Sequence, residues 1–460
     1  MASRLELKGK RVTVIGLGVE GRALVRYLCG EGAQVTASDS RPAERLAAGL
    51  RDVEGLPVRL SLGGNQIADA VGAEVVFVSP GVPLDIAPLA AARQRGIPFS
   101  SVTRLFFERC PAPIIAITGS NGKTTTTSLV AEMLKAAGRD VFLGGNIGQP
   151  LLESLPEIGP GSWVVLELSS FQLQIMEQSP HIAAVTNVTP NHLDQHRSME
   201  EYIEAKRNIV RYQRADDFAA LGYDNAISRA MAHGCPARVI FSSRETEPPG
   251  DAAFLRGSRV IVRLDERESH ICDRGQIPLL GEHNVSNVIM ASAIAMAAGV
   301  GSDAIAKAID GFRGVAHRLE PVRDLDGVTY YNDSIATSPE RAVAGLRSFT
   351  QPIVLIAGGR EKHLPLDEFV RTVQERCRAV VLYGEAAPVL KDALRAAKGV
   401  PVRMSPSFAE APAIARGEAR PGDVVLLSPA CTSYDLFANF EERGDEFKRL
   451  VQELKPRREL

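Results

Sequence analysis

Cysteine is scarce in this 460-residue chain and never clustered: the six, at positions 29, 110, 235, 272, 377 and 431, stand at least 37 residues apart, and no CxxC pair exists. That spacing argues against a zinc knuckle or a disulfide scaffold and for a reducing compartment. Long apolar runs are missing as well. Crossing a bilayer takes roughly 20 residues, and the longest candidate, 288–300, is interrupted by Ser292 and Gly299. Neither sign of charge dominates: 53 basic against 55 acidic residues leave no broad field for nucleic acid or anionic lipid. The opening MASRLELKGKRV mixes both signs where a secretory signal would be apolar, so a cytoplasmic location is expected. Lysine is under-used, at 11 of the 53 basic residues, and a lysine in a chemically loaded place therefore stands out. What remains is ordinary globular composition, 45% apolar and 23% charged, in a length that suggests about three domains.

Strand and helix signals alternate along the chain, which predicts an α/β fold with mostly parallel sheets. The first block, 1–110, opens with the strand VTVIGLG, a helix from about Gly21, and the strands AQVTASD and EVVFVSP. Pro111-Ala112-Pro113 reads as a linker. A second block, 111–312, begins with a strand from Ile114, and a third, 313–460, carries buried-strand runs at 353–357 and 424–427. The polar stretch 242–251 reads as a surface loop.

Gly16-Leu17-Gly18-Val19-Glu20-Gly21 lies between a strand and a helix, and Asp39 ends the next strand. Such glycines let the backbone approach a pyrophosphate at a helix N-terminus, and the carboxylate suits a ribose hydroxyl. NAD, FAD and UDP-linked ligands all meet that description, as does a plain tight turn. Ser79-Pro80-Gly81 suits the opposite lip of the same crevice.

A second glycine loop, Thr118-Gly119-Ser120-Asn121-Gly122-Lys123-Thr124, follows the strand from Ile114. Backbone amides there cradle phosphates, Lys123 reaches the terminal ones, and Thr124 takes Mg²⁺. Ile117 stands where the strict P-loop pattern has its first glycine.

Further on, Ser198 and Glu201 form an S-x-x-E signature that starts a helix. At about 100° per residue, Tyr202, Ile203, Ile209 and Val210 make one apolar face, with Glu204, Arg207, Asn208 and Arg211 opposite. Lys206 falls in the middle of the apolar face. Either its stem snorkels over apolar surface or its amine is catalytic or modified.

The form TGxNGKT, followed in order by Gly144-Gly145-Asn146-Ile147-Gly148, Glu167-Leu168-Ser169-Ser170-Phe171-Gln172-Leu173, Asn187-Val188-Thr189 with His192 and Asp194, Gly281-Glu282-His283-Asn284 with Asn287, His317-Arg318, Asn332-Asp333-Ser334 and Ser428-Pro429-Ala430-Cys431, resembles the Mur ligase family over essentially the whole chain. The resemblance is to its glutamate-adding branch. It implies three domains: a Rossmann-like N-terminal UDP-binding domain, a central P-loop ATPase domain and a Rossmann-like C-terminal domain that captures the amino acid. The implied reaction phosphorylates the carboxylate of UDP-N-acetylmuramoyl-L-alanine with ATP, after which glutamate's amine displaces phosphate. Its implied place is peptidoglycan precursor synthesis, and a monomer is expected.

By the same resemblance Thr124, Glu167, His192 and a carbamylated Lys206 form the magnesium shell. Gly119, Asn121, Gly122, Lys123, Thr124, Thr125, Asn284, Asn287, Arg318 and Asp333 serve ATP. Gly18, Val19, Glu20, Asp39, Arg41, Ser79, Gly81 and Asn146 serve the UDP-linked substrate, and Lys362, Ser433 and Phe440 the amino acid, with Tyr434 beside them. Lys123, His192, Lys206 and Arg318 carry the catalysis. The family's third block usually reads Asp-Ser-Lys-Ala-Thr; here Ile335 takes the lysine's place, which opens the question of D- against L-glutamate.

Other readings explain less. A nicotinamide oxidoreductase accounts only for the first glycine loop, and a non-catalytic nucleotide switch leaves Glu167 and Lys206 idle. Folylpolyglutamate synthase carries its P-loop nearer the chain start, and the Asp-Asn-Pro-Arg of diaminopimelate- or lysine-adding relatives is absent.

Overall fold

The computed structural model describes residues 6–147, 150–190 and 196–456. Within them the alternation of strand and helix resolves into three sheets. The first has five parallel strands, lying in the order Val58–Leu62, Gln34–Asp39, Arg11–Ile15, Val75–Val78, Phe99–Ser100. Strand order reverses at Arg11–Ile15, and open α/β sheets bind ligands outside the strand ends at such a switch point. The helix Val19–Gly30 starts two residues earlier than its glycines suggest, because extended Gly18 serves as its N-cap.

The second sheet has nine strands. Ile114–Thr118, buried at every residue, lies parallel between Trp163–Glu167 and Ile182–Val185. Complete burial explains why these strands are continuous apolar runs and not alternating ones. The Lys123–Ala136 helix packs Leu129, Val130, Met133 and Leu134 inward. At the far edge the parallel pattern gives way to two antiparallel pairings, Ala252–Arg256 with Arg259–Leu264 and Arg259–Leu264 with Arg267–Asp273. The loop predicted over 242–251 begins two residues later, since the strand Arg238–Ser243 runs through Ser243.

The third sheet has six strands, ordered Glu320–Leu325, Val328–Asn332, Val424–Ala430, Ile353–Gly358, Cys377–Tyr383, Val402–Met404; only the first pair is antiparallel.

Two compact units result. One runs to Ile277 and includes Val285–Gly311; the other combines Pro278–Asn284 with the chain from Phe312 onward. Inside the first unit the two sheets share a continuous core, in which Leu105 and Phe106 lie with Ile114, Leu152 and Leu166. Among the described residues no helix is long and apolar enough to cross a membrane.

Candidate active site

At the switch point of the first sheet lies a cavity of about 420 Å³. Gly18, Val19, Glu20, Asp39, Arg41, Ser79 and Gly81 all line it. Close approach explains one glycine directly: a Cβ on Gly21 would stand 1.9 Å from the Gly16 carbonyl oxygen, which also accepts from Ser79 Oγ at 2.6 Å.

Asp39 has other partners than the ribose hydroxyl expected for it. Its Oδ2 accepts from the Leu17 amide at 2.7 Å and Arg41 Nη2 at 2.8 Å, while Oδ1 accepts from the Arg41 amide and Nε, both at 2.9 Å. Burial raises its pKa, but these donors outweigh burial and leave it below the usual carboxylate range. Asp39 thus fixes the loop and aims the half-exposed Arg41 guanidinium. The Glu20 carboxyl also turns from the cavity: Oε1 accepts from Gln172 Nε2 at 2.7 Å. Its Oε2 is buried with no hydrogen-bond partner among the described residues.

In the second sheet the phosphate loop follows Ile114–Thr118, at the C-terminal edge where ligands collect. Gly122 has φ +82°, and a Cβ there would come within 2.2 Å of Asn287 Oδ1. Asn287 therefore lies against the loop. Asn284, on the same helix, groups with the other compact unit and donates its amide to the Leu280 carbonyl at 2.7 Å. Lys123 Nζ donates to the carbonyls of Gly119 at 3.0 Å and Ser120 at 3.3 Å. Thr125 is buried in the first turn of the helix.

Thr186 and Asn187 brace this loop. Thr186 Oγ1 and Asn187 Nδ2 donate to the Asn121 carbonyl at 2.7 and 3.1 Å, and Asn187 Oδ1 accepts from the Asn121 amide at 3.0 Å. Sequence reasoning gave Asn187 no role and passed over Thr186. The available signal was a polar pair ending the apolar strand Ile182–Val185.

Glu167, 2% exposed, ends the neighbouring strand. Its Oε2 accepts from Thr124 Oγ1 at 2.7 Å and its Oε1 from Asn146 Nδ2 at 2.9 Å. Asn146, assigned by resemblance to the UDP-linked substrate, is placed on Glu167 and outside the cavity lining. A carboxylate beside a P-loop hydroxyl is an oxygen donor set that fits Mg²⁺, an ion that keeps waters and takes phosphate oxygens. His192 and Asp194 lie outside the described residues.

Lys206 is 1% exposed, which removes the snorkelling alternative. Its Nζ donates to the Gly119 carbonyl at 3.0 Å and to Thr118 Oγ1 at 3.2 Å; Thr118 Oγ1 in turn donates to the Leu168 carbonyl at 2.7 Å. Burial, aided by the charge of Lys123 and opposed by Glu167, holds its pKa well below the ordinary lysine value. A lowered pKa favours the neutral, nucleophilic form of the amine. Its helix, Met199–Arg211, differs from expectation in two details. Ser198 caps Glu201 as predicted, but the Glu201 carboxylate accepts from the Arg197 amide at 2.7 Å instead of completing the box. Asn208, expected on the outer face, is buried and donates to the Leu173 carbonyl at 3.0 Å.

In the second compact unit Arg443 is fully buried. Its Nε donates to Ser334 Oγ at 2.9 Å, Nη2 to the Ser334 carbonyl at 2.8 Å and Nη1 to the Cys431 carbonyl at 3.2 Å. Ser334 Oγ donates to the Phe440 carbonyl at 2.8 Å, and backbone bonds pair Arg360 with Thr432. The segments of Ile335, Lys362, Ser433 and Phe440 are thereby drawn together, with Lys362 and Tyr434 exposed and Ser433 buried. Arg443 was missed in the sequence, although it repeats the Lys206 signal: a cation in register with Phe447 and Val451 on an apolar helix face.

Asp333 is buried too; its Oδ2 accepts from Ser428 Oγ at 2.8 Å and its Oδ1 from the Leu319 amide at 3.3 Å. Burial pushes its pKa up to about 7, against the Ser428 bond and the charge of Arg318. Burial and Arg318 together lower His283 to about 4.

Three family models match consecutive stretches of the chain: Mur ligase MurD-like, N-terminal domain at 10–101; Mur ligase middle domain at 117–295; and Mur ligase, glutamate ligase domain at 317–431. The UDP-N-acetylmuramoylalanine–D-glutamate ligase of Symbiobacterium thermophilum is 47% identical over 447 residues, covering 97% of this chain and 98% of its own. That of Acetivibrio thermocellus is 43% identical over 456 residues, covering 98% and 97%. Among solved structures, the UDP-N-acetylmuramate–alanine ligase MurC of Thermotoga maritima aligns with TM-score 0.60 at 20% identity, covering 97% of this chain and all of its own. A pseudomurein peptide ligase type C from Methanothermus fervidus aligns with TM-score 0.57 at 16% identity, with the same coverage. At those identities the likeness concerns the fold.

Proposed function

This chain belongs to the Mur ligase family, and we propose that it joins D-glutamate to UDP-N-acetylmuramoyl-L-alanine, driven by ATP, in peptidoglycan precursor synthesis. The observation that carries the chemistry is the buried Glu167 held by Thr124 and Asn146 at the phosphate loop. Relatives named for D-glutamate at over 40% identity support that amino acid despite Ile335, and Lys362 remains as a cation for its carboxylates.

The UDP moiety is assigned to the cavity of the first sheet, with its diphosphate at the start of the Val19–Gly30 helix. Thr124, Glu167, His192 and Lys206 are assigned to Mg²⁺, which when bound offsets the charge of the phosphates. Lys206 suits carbamylation, because a neutral amine attacks CO₂: a C–N bond forms, a proton leaves to solvent, and an anion replaces the amine. Lys123 is assigned to the terminal phosphates. Arg318 and Asp333 are given to ATP by resemblance, although the Asp333 carboxyl already binds Ser428 and Leu319.

In the first step an oxygen of the alanyl carboxylate forms a bond to the γ-phosphorus and ADP leaves. In the second, the amine of glutamate forms the amide bond, the C–O bond to phosphate breaks, and the amine releases a proton. Negative charge accumulates at one point in both steps, and stabilising it is the main task of the cationic side chains. Domain boundaries near 110 and 312 divide these tasks, and six free cysteines suit a cytoplasmic enzyme.

The test is an assay of ADP, phosphate and coupled product with D- and L-glutamate side by side. Phosphate and product are expected only when ATP, the UDP-linked substrate and D-glutamate are all present. Product from L-glutamate alone would reassign the amino acid.

A further inference from the structure

Glu20 sits at the rim of the nucleotide cavity, yet its carboxyl serves the second sheet. Gln172, which donates to Oε1 at 2.7 Å, is itself locked: its Oε1 accepts from the Ser169 amide at 2.8 Å and its own amide donates to Ser169 Oγ at 3.2 Å. That turn begins three residues after Glu167. Oε2, buried and unpartnered among the described residues, is a poor place for half of a negative charge.

The cations on its own and neighbouring elements are already committed. On its own helix Arg22 and Arg26 pair with Asp52 and Glu153. On the cavity Arg41 pairs with Asp39. From the Val102–Arg109 helix, Arg104 pairs with Glu108 and Glu177, and Arg109 with Glu31. The Ser170–Leu173 turn brings no charge.

We infer that Glu20 is a positioning residue for the UDP-linked substrate: the substrate binds the form in which Glu20 is protonated and latched to Gln172, so binding takes up a proton. This rests on the reading of the cavity as the UDP site. An ionised Glu20 gains solvation only by leaving Gln172 for the cavity. There it competes with a diphosphate for the same helix N-terminus, where two anions repel. Reciprocally, a bound diphosphate disfavours that swing and holds the proton on Glu20. Burial already raises this carboxyl to about 7, with the Gln172 bond opposing. The exchange therefore falls in an accessible pH range.

The experiment is calorimetric binding of UDP-N-acetylmuramoyl-L-alanine, without ATP, between pH 6.5 and 8.5. Its diphosphate diester does not titrate in that window. Two buffers of different ionisation enthalpy report proton uptake. Affinity of the native chain is expected to fall about fivefold or more across the window, with net proton uptake above pH 7. Glu20→Gln, permanently neutral and of the same shape, is expected to lose both the pH dependence and the uptake. Binding by the native chain with no uptake and flat affinity would overturn the inference alone, as would equal uptake in Glu20→Gln. No binding at any pH would overturn the cavity assignment and the inference with it.

Discussion

Thr124 Oγ1 donates to Glu167 Oε2 at 2.7 Å, tying the first turn of the phosphate-loop helix to the end of the adjacent strand. The two residues are 43 apart in sequence. Pairing of Ile117 with Glu167 in parallel register brings them together, since it sets the end of one strand beside the loop that follows the other. Asn146 Nδ2 holds the second Glu167 oxygen at 2.9 Å.

Asn146→Leu tests that support. Removing the amide leaves a buried carboxylate oxygen without its donor, and loss of such an outer partner costs about 10–100-fold in metal affinity. The Mg²⁺ concentration for half-maximal rate is expected to rise by that order while KM for the UDP-linked substrate stays near native. Titrating each in turn separates the two. A change confined to the UDP-linked substrate would return Asn146 to the substrate side.

Gly122→Ala forces a side chain into left-handed backbone and against Asn287. The conformation alone costs roughly 1–2 kcal/mol. The loop is expected to shift, raising KM for ATP more than tenfold while thermal unfolding shows a folded chain. The double variant with Asn287→Gly relieves the clash but keeps the backbone strain and removes a side chain assigned to ATP, so KM for ATP is expected to stay well above native.

Lys206→Ala removes the proposed carbamate and is expected to abolish ligation. Short carboxylic acids such as acetate should restore part of it by supplying the missing anion. Carbon-13 NMR of the native chain under labelled CO₂ should show a carbamate signal that the variant lacks. Full activity of the native protein under rigorous CO₂ exclusion would refute the modification.

Asp333 supplies a pH dependence of known sign. Its folded pKa, about 7, lies above the unfolded value of 3.8. Between those values the unfolded chain binds fewer protons than the folded one, so this contribution is complete below pH 3.8 and lost as pH rises toward 7. Asp333→Asn retains an acceptor for Leu319 and a neutral partner for Ser428. Thermal unfolding of the variant should show a flatter profile between pH 4 and 7 than the native chain; parallel profiles would contradict a protonated Asp333.

The α/β alternation, both glycine loops and the misplaced Lys206 were legible in the sequence because each is a local pattern: a strand, a turn and a helix within about 30 residues, or one polar residue on an apolar helix face. Gly18, Val19, Glu20, Asp39, Ser79 and Gly81, read from the first glycine loop and its opposite lip, share one cavity with Arg41, which only the resemblance named. Arg443 was legible by the same rule and passed unnoticed. Partnership was not legible. Whether Asp39 meets a ligand or Leu17 and Arg41, whether Asn146 serves a substrate or Glu167, and whether Glu20 faces its cavity or Gln172 depend on strand register and on packing between the first two sheets. Those relations join residues from 2 to 152 positions apart. Composition and spacing thus determined which functional groups the chain carries and roughly where each loop folds. Only tertiary structure decided which donor meets which acceptor, because buried polar groups take the partners that packing brings within about 3 Å.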